Sequence, residues 1–194
     1  MNKQELKDFA RKNWVPILRD KSADFLCKVI KDQQPKTILE IGTCLGYSGT
    51  LMLENSSAFL TTIEKDEKKC EQAAGNFKQA GLEERVKVIC GDAGEVIEKL
   101  EAEGNKYDFI FLDGPKGQYL FYLPHLKKML NKGGILMADD IYYHGWVKGN
   151  DYPKHKHRTI ILRLREFIEK ITTDEDFDTI LLDLEDGISL SCLK

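Results

Sequence analysis

Apolar positions along the chain form two alternating patterns, short continuous runs and stripes at helical spacing. The runs are typical of buried parallel strands and lie at 38–41, 59–63, 86–90, 109–112 and 135–138. The stripes predict helices over 3–12, 22–31, 66–80, 94–103, a stretch ending near 130, and 159–171. Two last runs, 177–182 and 188–193, flank an Asp-Gly turn and predict an antiparallel hairpin. Alternating strands and helices closed by a hairpin predict a doubly wound α/β fold.

The turn after the first strand carries the first chemical signal. Glu40 lies at the end of that strand, and glycines follow at positions 42, 46 and 49. Glycine lets a backbone turn sharply and a ligand approach, and ligands of open α/β sheets bind beyond the carboxyl ends of the strands. Cys44 stands where a dinucleotide fingerprint needs its second glycine, so no pyrophosphate cradle is predicted. The pattern E-I-G-T-C-L-G-Y-S resembles motif I of class I methyltransferases that use S-adenosylmethionine (SAM); an ordinary tight turn is the alternative.

Two further acids follow the second and third predicted strands. Glu64 comes 18 residues after Gly46, which is where an acceptor for ribose hydroxyls belongs. A solvated acid at a strand end is the alternative for Glu64. Asp92 follows the third strand and has two equal interpretations, an acceptor for an adenine amino group or a cap for the next helix.

Three aspartates follow the fourth and fifth predicted strands. Asp113 comes directly after the fourth, and Asp139 and Asp140 come directly after the fifth. Adjacent carboxylates repel each other unless something positive offsets their charge, and a divalent cation does so. An all-oxygen set favours Mg²⁺, Ca²⁺ or Mn²⁺ over zinc. The alternative for Asp140 is that it caps the following segment.

Length and composition restrict the number of domains, the kinds of partner and the cellular compartment that are expected. The 194 residues have a net charge of −3, which gives no overall nucleic-acid signature, and their length predicts one domain. We expect N-terminal helices over 1–34 and a sheet core over 35–194. Five scattered cysteines without a C-x-x-C pattern argue against structural zinc and disulfides and favour a reducing cytoplasm. Neither a signal peptide nor a membrane-spanning run is predicted.

Four motifs in register make the chain resemble the metal- and SAM-dependent O-methyltransferases of the catechol and caffeoyl-CoA type. They are E-I-G-T-C-L-G-Y-S, I-E-K, D-G-P-K-G-Q-Y and A-D-D, and the resemblance covers almost the whole chain. It implies the class I methyltransferase (Rossmann-like) fold, with seven strands of which the last is antiparallel. It also implies SAM contacts from Leu18, Glu40, Gly42, Ser48, Glu64, Asp92, Ala93 and Asp113.

The same resemblance assigns the reacting groups. Asp113, Asp139 and Asp140 would hold Mg²⁺ or Mn²⁺, although family members usually have Asn at the place of Asp140. Lys116 matches the catalytic lysine, and near a cation its pKa would be depressed so that it could take the proton of an acceptor hydroxyl. A lysine on a surface loop is the alternative.

The acceptor is the least determined feature. The C-terminal part looks most like the bacterial branch that methylates 5-hydroxyuridine at the tRNA wobble position. A basic segment, 154–165, contains Arg158, Arg163 and Arg165, which would bind phosphates while Trp146 stacks on a base. The rival readings are a small catechol-like or phenylpropanoid acceptor and a non-catalytic SAM- or metal-binding module. The resemblance also suggests a homodimer, with helix 3–12 as a candidate contact.

Overall fold

The computed structural model describes residues 3–149 and 155–194, except for the side chains of residues 155 and 156. The chain divides into two compact units, one up to Val96 and one from Ile97 onward. Its strands make a seven-stranded mixed sheet in which the last strand is antiparallel to its neighbours. The predicted fold class, α/β with an antiparallel last strand, is therefore confirmed.

The first unit is built on three parallel strands in the order β3-β2-β1. Its elements are α1 (Lys3–Lys12), α2 (Asp20–Gln33), β1 (Thr37–Ile41), α3 (Tyr47–Glu54), β2 (Phe59–Glu64), α4 (Glu67–Gln79) and β3 (Val86–Cys90), and α5 (Ala93–Ala102) begins in it. Ile38 lies opposite Leu60, and Ile63 lies opposite Ile89. This register brings the ends of β1, β2 and β3 to one edge, where the first predicted site residues follow.

Helix α1 packs its apolar side inside its own unit. Leu6 and Ala10 are fully buried, and Lys7 forms an ion pair with Asp20 at the start of α2 at 2.6 Å. A homodimer contact through α1 would therefore have to use its charged side. The dimer itself stays a prediction.

The second unit contains four strands in the order β4-β5-β7-β6. Its elements are β4 (Tyr107–Leu112), α6 (Tyr119–Met129), β5 (Leu130–Ala138), α7 (His155–Thr173), β6 (Phe177–Leu182) and β7 (Ile188–Leu193). Strands β4 and β5 are parallel, with Leu112 opposite Ala138, whereas β7 is antiparallel to β5 and β6. The predicted hairpin 177–182/188–193 is thus confirmed, and β4 and β5 end side by side.

Two element boundaries differ from the prediction. Strand β5 begins at Leu130 rather than at 135, because the pairing with β4 shifts register between Tyr107 and Phe109 and absorbs the intervening residues. Gly133 has φ +77°, a conformation that suits an irregular stretch of strand but resembles a loop signal in the sequence. Helix α7 begins at His155 rather than 159. Lys154 of the basic segment lies outside the described residues.

Over residues 3–149 and 155–194, no helix has both the length and the apolar character needed to cross a membrane.

Candidate active site

The turn between β1 and α3 follows the sharp path that its glycines predict. Gly42 and Gly46 have φ +105° and +81°, a region that side-chain-bearing residues rarely adopt. A Cβ added at Gly46 or Gly49 would lie 2.8 Å from the ring of Phe77 on α4. Gly46 and Gly49 are therefore required by packing, so they are not in themselves evidence for a ligand.

Glu40 is fully buried beneath this turn and is held by hydroxyl groups. Ser48 Oγ donates a hydrogen bond to Oε1 of Glu40, and Thr62 Oγ1 donates to Oε2 at 2.6 Å. Thr43 joins the network through its hydroxyl, 2.5 Å from that of Thr62. Each oxygen of the buried carboxylate thus has a partner, as its burial demands. Glu40 orients Ser48 at the start of α3, and the predicted contact of either residue with SAM stays a prediction.

Glu64 at the end of β2 is fixed by backbone amides. Its Oε2 accepts from Cys44 N at 2.9 Å, and its Oε1 accepts from Lys65 N and Asp66 N at 2.9 and 3.0 Å. Glu64 also borders an open depression of about 570 Å³ lined by residues 64–68. A carboxylate offers about four lone-pair sites, so Glu64 keeps capacity for a ribose hydroxyl. The geometry fits the predicted role of a positioned acceptor.

Asp92 caps the next helix, which is one of its two predicted roles. Its Oδ1 accepts from Gly94 N at 3.0 Å, near the start of α5 at Ala93. Its Oδ2 accepts from Lys65 Nζ at 3.0 Å, and this ammonium group together with the Gly94 amide lowers the pKa of Asp92. The adenine contact stays a prediction, as does that of Leu18, which is buried in the segment before α2.

The structure brings the three predicted metal ligands together. Carboxylate oxygens of Asp113, Asp139 and Asp140 all lie within 4.8 Å of one another. They converge because β4 and β5 end at the same edge, where Asp139 N donates to Leu112 O at 3.1 Å. Such a set of hard oxygen donors fits Mg²⁺ or Mn²⁺.

Asp139 shows most directly that this cluster suits a cation. It is 4% exposed, and its Oδ1 has no hydrogen-bond partner among the described residues. Burial, and then the charges of Asp113 and Asp140, raise the pKa of Asp139 to about 7. An unpartnered buried carboxylate oxygen is costly, and a divalent cation would satisfy it.

Asp140 adopts a backbone conformation that few residue types tolerate. Its φ of +56° lies in the left-handed region, where Asn and Asp are the commonest residues after glycine. This accounts for the interchange of Asp and Asn that the family resemblance implies at this position. The extra charge of Asp140 adds to the raised pKa of Asp139.

Lys116 lies in a short 3-10 turn before α6 and contacts two of these acids. Its Nζ lies 2.6 Å from Oδ1 of Asp113 and 3.3 Å from Oδ2 of Asp140. Burial alone would lower the pKa of Lys116, but the charges of Asp113 and Asp140 outweigh it and hold this pKa well above its usual value. The sequence predicted a depressed pKa beside a bound cation. The carboxylates of Asp113 and Asp140 by themselves shift this pKa in the opposite direction.

Tyr119 is a functional candidate that the sequence interpretation missed. Its fully buried hydroxyl accepts from Lys116 Nζ at 2.9 Å and lies 3.0 and 3.1 Å from the carbonyl oxygens of Leu112 and Asp139. It therefore ties the lysine to the ends of both β4 and β5. The available signal was the spacing K-x-x-Y at the start of a helix, which places both residues on one face.

Trp146 belongs to a group of aromatic rings that follows Asp140. Its ring centroid lies 5.5 Å from that of Tyr143, 4.9 Å from that of His144 and 5.1 Å from that of His157. The Tyr143 hydroxyl is 2.9 Å from Nδ1 of His157. Trp146 is thus partly covered by its own neighbours rather than standing alone as a stacking surface.

Two of the arginines predicted to bind phosphate make backbone contacts. Arg163 donates to Gly117 O at 3.1 Å, and its guanidinium lies 4.8 Å from the centroid of the Phe121 ring. Arg165 donates to Val147 O at 3.0 Å and to Trp146 O at 3.4 Å. Arg158 is exposed. Two of the three guanidinium groups are therefore engaged by backbone carbonyl oxygens, and phosphate binding by the three arginines stays a prediction.

The seven-stranded sheet with its antiparallel last strand is the fold of class I methyltransferases that use SAM. Comparison with known proteins identifies the family: the O-methyltransferase family model matches residues 3–194, so the chain belongs to this family. It is an O-methyltransferase.

Three similar proteins agree with this assignment. A caffeoyl-CoA O-methyltransferase of Populus kitakamiensis is 26% identical over 175 residues, which cover 86% of this chain and 73% of that protein. The bovine catechol O-methyltransferase is 28% identical over 170 residues, covering 81% of this chain and 62% of that enzyme. The structure of an O-methyltransferase from Bacillus cereus in complex with SAH has a TM-score of 0.87 and 25% identity, with coverage of 99% and 90%.

Proposed function

We propose that the protein transfers the methyl group of SAM to one hydroxyl of a small catechol-like acceptor, with a divalent cation held by Asp113, Asp139 and Asp140. The observation that carries this proposal is the convergence of the three carboxylates, one with an unpartnered oxygen, around the ammonium group of Lys116. Two adjacent oxygens of a catechol can chelate a metal ion together. The similarity to catechol and caffeoyl-CoA enzymes supports the same acceptor class.

The first unit would supply most of the SAM-binding groups, and Asp113 of the second unit is the remaining predicted contact. Glu64, held by three amides, would accept hydrogen bonds from the ribose hydroxyls. The turn at Gly42 and Ser48 would face the methionine part, while Asp92 and Ala93 would flank the adenine. SAM supplies a methyl group on a sulfonium, so the reaction is an in-line displacement at that methyl carbon. The SAH bound to the Bacillus cereus structure supports this cofactor.

The second unit supplies the groups that act on the acceptor. A cation at the carboxylates would lower the pKa of a nearby acceptor hydroxyl and offset the charges that keep Lys116 protonated. Lys116 Nζ would then accept the proton of the hydroxyl. Tyr119 holds Nζ in place through its hydroxyl. The gain in rate comes from positioning and from electrostatic stabilisation of the attacking oxygen.

Methylation of 5-hydroxyuridine in tRNA remains a second prediction with weaker support. It requires free cationic groups, whereas Arg163 and Arg165 are bound to backbone carbonyl oxygens. The net charge of −3 supplies no general attraction for RNA. A cytoplasmic location, proposed from the free cysteines, is compatible with either acceptor.

The test is an incubation with tritiated SAM, Mg²⁺ and two acceptor pools, a catechol panel and bulk tRNA containing 5-hydroxyuridine. We expect label in the catechols, its loss in EDTA, and its loss in Lys116→Ala with SAM affinity retained. Transfer that continues undiminished in EDTA would exclude the metal role. Label in tRNA alone would overturn the proposed acceptor, and SAM binding without transfer to either pool would favour a non-catalytic module.

Arginine variants separate the two acceptors further. Arg158→Gln removes an exposed charge, whereas Arg163→Gln removes the donor to Gly117 O beside Lys116. For a catechol enzyme we expect Arg163→Gln to lower kcat and Arg158→Gln to leave it unchanged. An enzyme that binds tRNA phosphates through α7, the helix that carries both arginines, would lose tRNA affinity in both variants.

A further inference from the structure

The loop at residues 141–149, which follows the metal ligands Asp139 and Asp140, is held by a turn far along the chain. Ile141 N donates to Gly187 O at 3.1 Å, and Tyr142 N donates to Asp186 O at 2.8 Å. The side chain of Asp186 continues this pairing, since its Oδ2 accepts from His144 N at 2.7 Å and its Oδ1 accepts from Gly145 N at 3.2 Å. Four loop amides therefore end on two residues of the β6–β7 hairpin.

The conformation that Asp186 supports is unusual. Tyr143, His144 and Gly145 have φ +44°, +60° and +74°, so three successive residues lie in the left-handed region. For Tyr143 and His144 this conformation is strained and persists only where surrounding contacts impose it. Asp186 is 6% exposed, and its charged oxygens make the strong class of hydrogen bond to two of these residues. The carboxylate therefore supplies the constraint that the loop requires.

The hairpin is also shaped to meet this loop. Gly187 has φ +86°, and an added Cβ there would lie 2.1 Å from Cδ2 of Tyr142. Arg165 on α7 also contacts the loop, where it donates to the carbonyl oxygens of Val147 and Trp146. The loop is thus held by the Asp186 carboxylate, which accepts hydrogen bonds from its amides, and by the Arg165 guanidinium, which donates to its carbonyl oxygens.

We propose that Asp186 is a positioning residue that acts through this loop on Asp140 and on the ring group of Tyr143 and Trp146. Asp140 has a left-handed φ of +56° and is the residue directly before the loop, so its carboxylate direction depends on the path of the loop. The ring centroids of Tyr143 and Trp146, 5.5 Å apart, likewise depend on that path. Asp186 does not itself belong to the acidic cluster. The inference about Asp140 rests on the proposed metal site, whereas the inference about the rings does not.

The test compares Asp186→Asn with Asp178→Asn as a matched control on the same hairpin. Asp178 has a 76% exposed side chain and pairs with Lys194, so its loss leaves the loop untouched. Both changes are made in a Trp14→Phe background, which leaves Trp146 as the sole tryptophan of the two in the sequence. Asn at 186 keeps one acceptor but turns an amide donor toward the second loop N–H, so the loop must shift.

In Asp186→Asn we expect a shifted Trp146 emission and stronger iodide quenching. By titration calorimetry we expect Mg²⁺ affinity to fall roughly 10–100-fold, the range seen when partners of metal ligands are changed, while SAM affinity is retained. If Asp186 only stabilises the fold, Asp186→Asn would lower thermal stability, while the Trp146 emission and the Mg²⁺ affinity of the folded protein would stay unchanged. That result overturns the proposal.

A measurement on the unaltered protein covers the case in which Asp186→Asn does not fold. Amide hydrogen exchange should show His144 N and Gly145 N protected, and exchange at the rate of open amides would overturn the proposal. If the unaltered protein binds no Mg²⁺, the proposed metal site fails, and the Trp146 readout still decides whether Asp186 positions the rings.

Discussion

At the scale of the residue, Lys116 takes its charge state from its neighbours. Its Nζ contacts Asp113 and Asp140, and these carboxylates outweigh the effect of burial on its pKa. A lysine held in this way is a poor base until the surrounding negative charge is offset. The carboxylates proposed to hold the cation would therefore make proton acceptance by Lys116 depend on whether the cation is bound.

Replacing Tyr119 with Phe should separate positioning of Lys116 from binding of SAM. The change removes the hydroxyl that contacts Lys116 Nζ and the carbonyls of Leu112 and Asp139, while the ring stays packed 5.5 Å from that of Phe167. Losing a hydrogen bond to a charged group costs about 1.5–3 kcal/mol, so kcat with a catechol should fall roughly 10–100-fold. Steady-state kinetics and calorimetry with SAM measure both effects. Tyr122→Phe on the same helix is the control, and an unchanged kcat in Tyr119→Phe would refute the role.

The raised pKa of Asp139 predicts how metal affinity varies with pH. Burial, and then Asp113 and Asp140, raise this pKa to about 7, and a metal ligand must be deprotonated. Above pH 7 the carboxyl is already ionised and affinity should level off. Below pH 7 the metal must displace a proton, so apparent Mg²⁺ affinity should fall by up to about tenfold per pH unit. Calorimetry in buffers of different ionisation enthalpy measures the released proton, and the same proton release in Asp139→Asn would contradict the assignment.

At the scale of the element, two helical glycines of the first unit differ in whether the surrounding packing leaves room for a side chain. Gly49 lies in α3, where an added Cβ would be 2.8 Å from both Leu60 Cδ2 and Phe77 Cζ. Gly75 lies in α4 with nothing within 4 Å of such a Cβ. The sequence pattern places Gly49 with the turn glycines and Gly75 inside the predicted helix 66–80, and only the packing shows which of the two must be glycine.

This difference makes a matched pair of substitutions informative. Gly49→Ala overpacks the contact of α3 with Phe77 and should destabilise the protein by about 1–3 kcal/mol. Gly75→Ala should stabilise it by roughly 0.5–1 kcal/mol, because alanine loses less backbone entropy in a helix. Urea denaturation measures both free energies of unfolding. Phe77→Leu added to Gly49→Ala should recover part of the loss, and equal effects of the two alanines would show that packing is not the cause.

The elements also show what the sequence could and could not predict. Apolar periodicity located the seven strands and most of the α-helices of the described residues, but not α3, whose short span follows the glycine turn. Asp66, at the start of the predicted helix 66–80, accepts from Lys68 N and Lys69 N and so caps α4. The periodicity misplaced the start of β5, because Gly133 and Gly134 are typical of a loop in the sequence and become part of the strand only through its pairing with β4. The acids could be placed at strand ends because parallel strands share an edge. The role of Asp186 could not be predicted, since it depends on contacts with a loop about 40 residues earlier in the chain. For Tyr119 the spacing to Lys116 was a local signal, but its contact with the carbonyl of Asp139 was not.

At the scale of the whole molecule, the predicted SAM contacts other than Asp113 lie in the first unit, and the predicted metal ligands lie in the second. The residues proposed to hold the ribose and adenine of SAM come before Val96, and the acids proposed to hold the metal come after Ile97. A substitution confined to one unit should therefore impair one ligand first. This separation gives the cofactor and metal assignments independent tests.

Two isosteric changes test the assignments against each other. Glu64→Gln keeps the size of the side chain but removes the negative charge and one of the two acceptor oxygens, such as the one that accepts from Cys44 N. SAM affinity should therefore fall about 10-fold or more, while Mg²⁺ affinity stays within twofold. Asp139→Asn should instead lower Mg²⁺ affinity and leave SAM affinity unchanged. The change removes one carboxylate from the acidic cluster, together with the unpartnered Oδ1 and the ionisation with the raised pKa. Calorimetry with each ligand alone measures all four values. Loss of both ligands in either variant, with the thermal transition lowered to match, would mean that the substitution unfolds the protein. Loss of both with an unchanged thermal transition would instead contradict the assignment of these residues to separate ligands.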